Sequence, residues 1–357
     1  MGARRWRNTR TQRRLDKERG AAITTQPAST NAGSAAKGET RFCMKRAFVF
    51  PGQGSQAVGM GRVLAATFAP ARQVFAEVDD ALSQDLSKLM FEGPESDLTL
   101  TENTQPALMA ASLAVMRVLE AEGGFALARK AAFVAGHSLG EYSALAAAGS
   151  ITIGAGAHLL RLRGQAMQEA APVGEGAMAA LLGLDVEQGR AVAAEAAGPD
   201  QVCAVANDNA PGQVVVSGHR QAVERAIAIA RANGARRSIA LPVSAPFHSP
   251  LMAPAAEIMA EALGRVALQP PAVPLVANVS AIATRDPATI RRGLVEQVTA
   301  MVRWRESMLF LKQAWVEEVV EIGTGRVLTG LAKRIDPDLS ARAVGTPAEI
   351  ESLIKEL

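Results

Sequence analysis

Residues 133–149 read FVAGHSLGEYSALAAAG: a short apolar run, a serine set between Gly136 and Gly140, then a strong helix former. A G-x-S-x-G turn between a strand and a helix lifts a serine hydroxyl to the edge of a sheet. The helix that follows offers free N–H groups and a positive dipole end to an oxyanion. The plain alternative is a glycine-rich turn whose serine caps the helix; the strand before and the helix after favour a nucleophile at Ser138. Such a serine needs a base within hydrogen-bond reach, and the chain has four histidines, His137, His158, His219 and His248. His137 adjoins the serine and points away from it on such a turn. His158 lies mid-helix between Ala157 and Leu159, and His219 opens a helix after Gly218. His248 sits in SAPFHSPLM, stiffened by Pro246 and Pro250, with Ser249-Pro250 reading as N-cap and first helical residue. A histidine pinned at a loop-to-helix junction suits a fixed geometry, so His248 ranks first as the base. No Asp or Glu near a predicted strand end stands out as its orienting partner. A backbone carbonyl can fill that role by accepting the imidazole N–H.

A second glycine-rich corner, PGQGSQAVGMG (51–61), follows the first strand directly. Gly52 and Gly54 let backbone amides face a site, so the N–H of Gln53 is a candidate oxyanion donor. A phosphate loop is excluded because no Lys-Ser/Thr follows the glycines, and a dinucleotide fingerprint fails at Ala57. Arg163, in LLRLRGQAMQEA, sits on an otherwise apolar or small helix face. There it either snorkels to solvent or clamps an anion, and by itself the solvent-facing reading has the edge.

Alternating strands and helices must position these residues. Arg46–Phe50 reads as a first strand, 62–80 and 105–121 as helices, Phe133–Ala135 as a strand, then 139–148 and 155–170 as helices. Between 172 and 240 the texture changes: strands at 177–184, 202–206, 213–218 and 238–243 alternate with helices at 185–197 and 219–233. That β-α-β-β-α-β order predicts a small ferredoxin-like lobe, residues 172–240, inserted into a larger one. The larger lobe, 44–171 and 241–357, is expected to be α/β-hydrolase-like with a mostly parallel sheet covered on both faces. After 249 the expected order is helix, strand (273–277), helix, strand (317–322) and helix.

Hydrophobic residues make up 48% of the 357 and charged residues 20%, ordinary for a globular enzyme-sized chain. No apolar run approaches the ~20 residues that span a membrane. Cys43 and Cys203 match no zinc spacing and form no disulfide framework, so no metal and a reducing, cytoplasmic setting are expected. The net charge of +3 is unevenly spread: residues 1–43 hold ten bases against three acids, a net +7, which leaves −4 for the rest. Those 43 residues lack apolar periodicity and are expected to be disordered. They read as a nucleic-acid-binding arm, a transit-like segment or an over-extended start with Met44 as initiator, the last being favoured.

Taken together, PGQGSQ, GHSLGEYSAL, RGQAMQEA, GAMAALLGL, NAPGQVVVSG, PVSAPFHSPLM and EIGTGRVLTGLAKRI occur in the order found in malonyl-CoA–acyl carrier protein transacylases, which the chain resembles from about Lys45 to its end. The resemblance implies Ser138 as the acylated nucleophile, His248 as its base and Arg163 as a bidentate partner of the malonyl carboxylate. It implies an oxyanion hole from the N–H groups of Gln53 and Leu139, a histidine-orienting carbonyl at Gln297, and His137 and Asn209 lining the site. Thr324, where proline is usual, and Asp208, where an apolar residue is often found, depart from the pattern without touching that chemistry. Phe247, beside His248, is expected to crowd an α-methyl branch on the acyl group.

The expected activity is ping-pong transfer of malonyl from malonyl-CoA to the phosphopantetheine thiol of acyl carrier protein, supplying fatty acid synthesis. It needs no resident cofactor, nucleic acid or membrane, and a monomer is the family expectation. A serine thioesterase using the same elbow and a polyketide-pathway acyltransferase remain alternatives. A nucleic-acid-binding protein recruited through residues 4–19 is disfavoured by the acidic body.

Overall fold

The run RAFVF is buried along its whole length, as expected of a parallel strand covered on both faces. In a computed structural model of the chain, residues 44–172, 174–243 and 245–357 are described; the expected disordered tail, 1–43, lies outside them. Among the described residues the strands are β1 (Arg46–Phe50), β2 (Phe133–Gly136), β3 (Gly176–Leu182), β4 (Cys203–Ala210), β5 (Gln213–His219), β6 (Arg237–Ala240), β7 (Leu275–Val276), β8 (Ala283–Thr284), β9 (Glu318–Ile322) and β10 (Ser340–Val344).

The larger sheet has the order β10-β9-β1-β2-β7-β8. Its pairings are parallel except that of β7 with β8. The helix Thr101–Gly123 packs beneath it and is buried on nearly every side from Thr101 to Leu119, which is why its sequence carries no clear amphipathic stripe. The smaller sheet is antiparallel, in the order β4-β5-β3-β6. The helices Val186–Ala197 and Arg220–Ala232 share one apolar cluster with it. The molecule is thus mixed α/β, a mostly parallel sheet joined to an antiparallel one. No helix among the described residues is long and apolar enough to cross a membrane.

Several elements depart from expectation, with local causes. The helix expected over 62–80 is two, Arg62–Thr67 and Ala69–Leu82, divided at Phe68 in extended backbone. Pro70 sits in the first turn of the second, where a missing N–H is harmless. The strand expected over 273–277 shrinks to Leu275–Val276, since Pro274 has no N–H to donate. One expected helix between 277 and 317 is in fact two, Pro287–Glu296 and Trp304–Gln313. The closing strand β10 and the helix Pro347–Glu356 were not anticipated.

The strand expected at 202–206 runs on to Ala210, with register shifts at Val205/Asn207 and Asp208/Ala210. Its outer edge bonds to the larger lobe. Val302 N–H donates to the Ala206 carbonyl at 2.9 Å, and Asp208 N–H donates to the Val302 carbonyl at 3.0 Å. Asp208 is buried and pairs with Arg305, whose Nε lies 3.0 and 2.9 Å from its two carboxylate oxygens. Arg305→Met leaves that carboxylate buried without its cation. It should cost about 3 kcal/mol of unfolding free energy, read as a lowered urea midpoint; an unchanged midpoint would show that the pair holds nothing.

Candidate active site

Ser138 stands where β2 turns into the helix Gly140–Ala147, at φ 54°. An L-residue rarely adopts this left-handed backbone, and such strain concentrates at functional sites. The glycines on either side are required by contact. A Cβ on Gly136 would lie 1.9 Å from the Gly140 carbonyl group, and one on Gly140 would lie 2.2 Å from the Phe50 carbonyl oxygen. The turn packs directly against the end of β1, where His137 N–H donates to Phe50 O at 3.0 Å. Asn278, just beyond β7, clamps it from the other side: its Oδ1 accepts from Ser138 N–H at 2.7 Å and its Nδ2 donates to Gly136 O at 2.7 Å.

The Ser138 hydroxyl does not cap the helix. Its Oγ lies 2.8 Å from His248 Nε2. His248 is also left-handed, φ 56°, and buried. Its Nδ1 is 2.8 Å from the main-chain carbonyl oxygen of Gln297. A carbonyl only accepts, so Nδ1 carries the proton and Nε2 is bare, ready to accept the serine proton. Burial, and then the nearby Arg163 charge, lower the imidazole pKa to about 3, so the ring is neutral near pH 7. Ser249 takes the N-cap position and Pro250 the first position of a short 3-10 turn, Pro250–Met252, as expected, but the Ser249 hydroxyl donates to Pro246 O at 2.7 Å instead of capping.

Arg163 is not a surface arginine. It is 2% exposed and points inward from the helix Ile153–Glu169. Nη2 donates to Ser138 Oγ at 3.1 Å and to Gln297 Oε1 at 2.8 Å, and Nη1 donates to Gln105 Oε1 at 2.7 Å. All these acceptors are uncharged, and Nε has no partner among the described residues. Burial holds the guanidinium below its usual pKa, offset in part by Tyr142 and Glu141.

Gln297 therefore serves the histidine with its carbonyl and the arginine with its side chain. Its Nε2 donates to Glu141 Oε2 at 2.5 Å and to Ser138 O at 3.0 Å. Glu141, 2% exposed, has its carboxyl raised to about 7 by burial, against the lowering effect of the Gln297 bond.

Ser138, Leu139, Gln53, His137, Phe247 and Arg163 line one cavity of about 700 Å³, within the range of small-molecule sites. Among the described residues, the backbone N–H groups of Gln53 and Leu139 donate to no protein acceptor. Asn209 does not line this cavity. Its Oδ1 lies 2.9 Å from His137 Nε2, and its neighbour Asn207 reaches the wall instead. His158 is exposed; His219 accepts Val202 N–H through Nδ1 at 2.8 Å, away from the cavity. Sequence reasoning missed Thr101, Gln105, Asn278 and Glu141. Thr101 Oγ1 donates to Gln53 Oε1 at 3.1 Å and accepts from Gln105 Nε2 at 2.9 Å, so the loop carrying Gln53 is tied to Arg163 through Gln105. The available signal was polar side chains at 101–105 opening a helix that is otherwise apolar.

Residues 47–333 match the acyl transferase domain family. The malonyl CoA-acyl carrier protein transacylase of Salmonella typhimurium is 46% identical over 310 residues, 87% of this chain and 99% of the relative. The crystal structure of acyl-carrier-protein-S-malonyltransferase from Bartonella henselae superposes with a TM-score of 0.86 at 54% identity, covering 88% of this chain and 99% of that one. A malonyl-transacylase solved in complex with a type II PKS acyl-carrier protein gives 0.84 at 45% identity, covering 88% and 100%.

The lowered pKa has a direct readout. The His248 ring is expected to stay neutral, proton on Nδ1, from pH 8 down to pH 5 in 15N NMR of the folded protein. An unfolded histidine takes a proton near pH 6.5 while the buried one does not, so this residue's contribution to stability is full above about 6.5 and lost as pH falls towards about 3. A His248 resonance titrating near 6.5 in the folded state would contradict the burial argument.

Proposed function

The chain belongs to the acyl transferase family and, within it, to the malonyl-CoA–acyl carrier protein transacylases, and from that membership we propose that it carries malonyl between its two thiols as an ester on Ser138. It is an acyltransferase that moves malonyl from coenzyme A to acyl carrier protein. The observation that carries the mechanistic reading is the buried Arg163 guanidinium, bonded only to neutral oxygens and 3.1 Å from Ser138 Oγ. A thioesterase elbow needs no such cation; a substrate with a free carboxylate does.

In the first half-reaction Ser138 Oγ attacks the thioester carbonyl while its proton passes to His248 Nε2. The oxyanion is received by the N–H groups of Gln53 and Leu139, each lowering the barrier by ~3 kcal/mol. Collapse breaks the C–S bond, and the coenzyme A sulfur leaves with the proton from His248. In the second half-reaction the phosphopantetheine thiol gives its proton to the same nitrogen and attacks the ester. Collapse then returns the proton to Ser138. These steps draw only on this chain's side chains and backbone amides and on its two substrates, in a cytoplasmic setting and in the service of fatty acid chain extension.

Arg163 also prepares the base. Without substrate its Nη2 donates to Ser138 Oγ, and its charge depresses His248 basicity. A malonyl carboxylate is the stronger acceptor, so it draws that donor away and screens the charge. Phe247, in the cavity wall, disfavours an α-methyl branch. The finer architecture is read as a hydrolase-like large lobe with a ferredoxin-like insert, supported by the strand order of the small sheet, β4-β5-β3-β6.

Mass spectrometry after brief exposure to malonyl-CoA should find malonyl on Ser138 and none on Ser138→Ala. Label retained elsewhere would remove the nucleophile assignment, and label lost to water as fast as to a carrier thiol would favour a hydrolase. Arg163→Ala should lower malonyl loading roughly 10- to 100-fold more than acetyl loading, the range set by leaving a charged group unpaired. Equal losses for both acyl groups would remove the clamp.

A further inference from the structure

Glu141 is a buried acid that the reaction as written does not use. It lies one turn beyond Ser138, in the first turn of the elbow helix, and makes no direct ion pair among the described residues. Its carboxylate instead takes the Nε2 hydrogen of Gln297 at 2.5 Å and, more distantly, Asn278 N–H at 3.4 Å. The other end of the same Gln297 amide, Oε1, accepts from Arg163 Nη2 at 2.8 Å.

An amide has one accepting and one donating end, and an arginine only donates. The carboxylate facing Nε2 therefore decides which way Gln297 lies: a flipped amide would set oxygen against carboxylate and NH₂ against guanidinium. Glu141 and Arg163 thus form an ion pair bridged by one neutral amide. A direct pair would neutralise the guanidinium and close it to a ligand. Without any pair, the cation would stand buried with no counter-charge, which is strongly unfavourable. The bridged arrangement is intermediate, and each of the two groups feels the other's charge.

We propose that Glu141 is the remote counter-ion of the carboxylate clamp: acting through the Gln297 side chain, it holds the Arg163 guanidinium aimed into the cavity, and so sets the preference for malonyl over uncharged acyl groups. Glu141 touches neither substrate nor reacting atoms; it is a positioning residue. The inference rests on the reading that Ser138 accepts malonyl.

The test measures kcat/KM for Ser138 loading from malonyl-CoA and from acetyl-CoA at pH 8, where the wild-type carboxyl is ionised. Glu141→Gln keeps the size and an accepting oxygen but removes the charge. The malonyl-to-acetyl ratio should fall roughly 10-fold, the size of losing one hydrogen bond that holds a charged group, because a Gln amide at 141 no longer fixes which way the Gln297 amide lies and Arg163 loses its aim. Glu141→Asp keeps the charge and should hold the ratio within about threefold of wild type. A purely structural role predicts a lower melting temperature with both acyl groups affected alike, so a Glu141→Gln ratio within twofold of wild type, or an Asp variant as impaired as the Gln variant, overturns the proposal. Should Glu141→Gln fail to fold, Gln297→Met cuts the bridge and leaves the histidine-orienting carbonyl in place; the same loss of ratio is expected, and an unchanged ratio overturns the proposal. Wild-type protein that takes no malonyl on Ser138 would sink the functional reading itself, a result distinct from any of these.

Discussion

Ser138 presents its hydroxyl because its backbone turns the wrong way for an L-residue, and it can do so only where Gly136 and Gly140 let the end of β2, the first turn of the helix and the end of β1 meet without a Cβ between them. That contact brings the serine close to the Gln53 loop after β1. The Asn278 side chain, after β7, then locks the turn by bonding both Gly136 O and Ser138 N. Three neighbouring strands, β1, β2 and β7, thus deliver Gln53, Ser138 and Asn278 from their carboxyl ends, where open parallel sheets commonly hold ligands. The strain at Ser138 is balanced by these contacts, while the Gln297 carbonyl holds the His248 ring facing it.

The electrostatics follow from that crowding. A cation, an imidazole and a carboxyl are buried close together, so each group's ionisation depends on its neighbours. Arg163 helps to keep His248 neutral, which is the form that can take a serine proton. Gln297 lets one residue serve opposite needs: its carbonyl accepts from the histidine while its side chain donates to Glu141 and accepts from the arginine. The usual third member of a serine triad is an acid bonded to the histidine. Here the carbonyl takes that place and the acid stands one residue further back.

These relations were unevenly legible in the sequence. Ser138 could be read because glycine spacing and the strand-to-helix change are local. His248 could be ranked first because two prolines flank it and the other histidines had simpler explanations. Arg163 could not be told from a snorkelling arginine by its own helix, because what buries it comes from Gln105 and Gln297, far away in sequence. Glu141 was hidden more thoroughly: an acid in a first helical turn has a sufficient explanation in the helix dipole, and only Gln297, brought in from just past the helix 287–296, reveals its partner. The parallel order of the large sheet followed from alternation. The bulges in β4 and the two helices between 277 and 317 did not, since they answer to contacts across the molecule.

The cavity wall divides along the same line as the fold. Groups that make or break bonds come from the larger sheet and its loops. Met178 and Asn207, from β3 and β4 of the small sheet, together with the 241–243 segment leading out of it, face them. The small sheet is fixed where β4 bonds to Val302 and where Asp208 pairs with Arg305. Between these anchors, Asn207 reaches the cavity and Asn209 holds His137. A shift of β4 would therefore move the wall opposite Ser138 and, through Asn209 and His137, pull on the turn beside the serine. The Ser138–His248 bond itself is made by loops of the larger sheet, with Arg163 and the Gln297 carbonyl beside it. The space facing Ser138 thus depends on how the two sheets are joined, and the Asn209–His137 bond is where a change in one sheet is felt by the other.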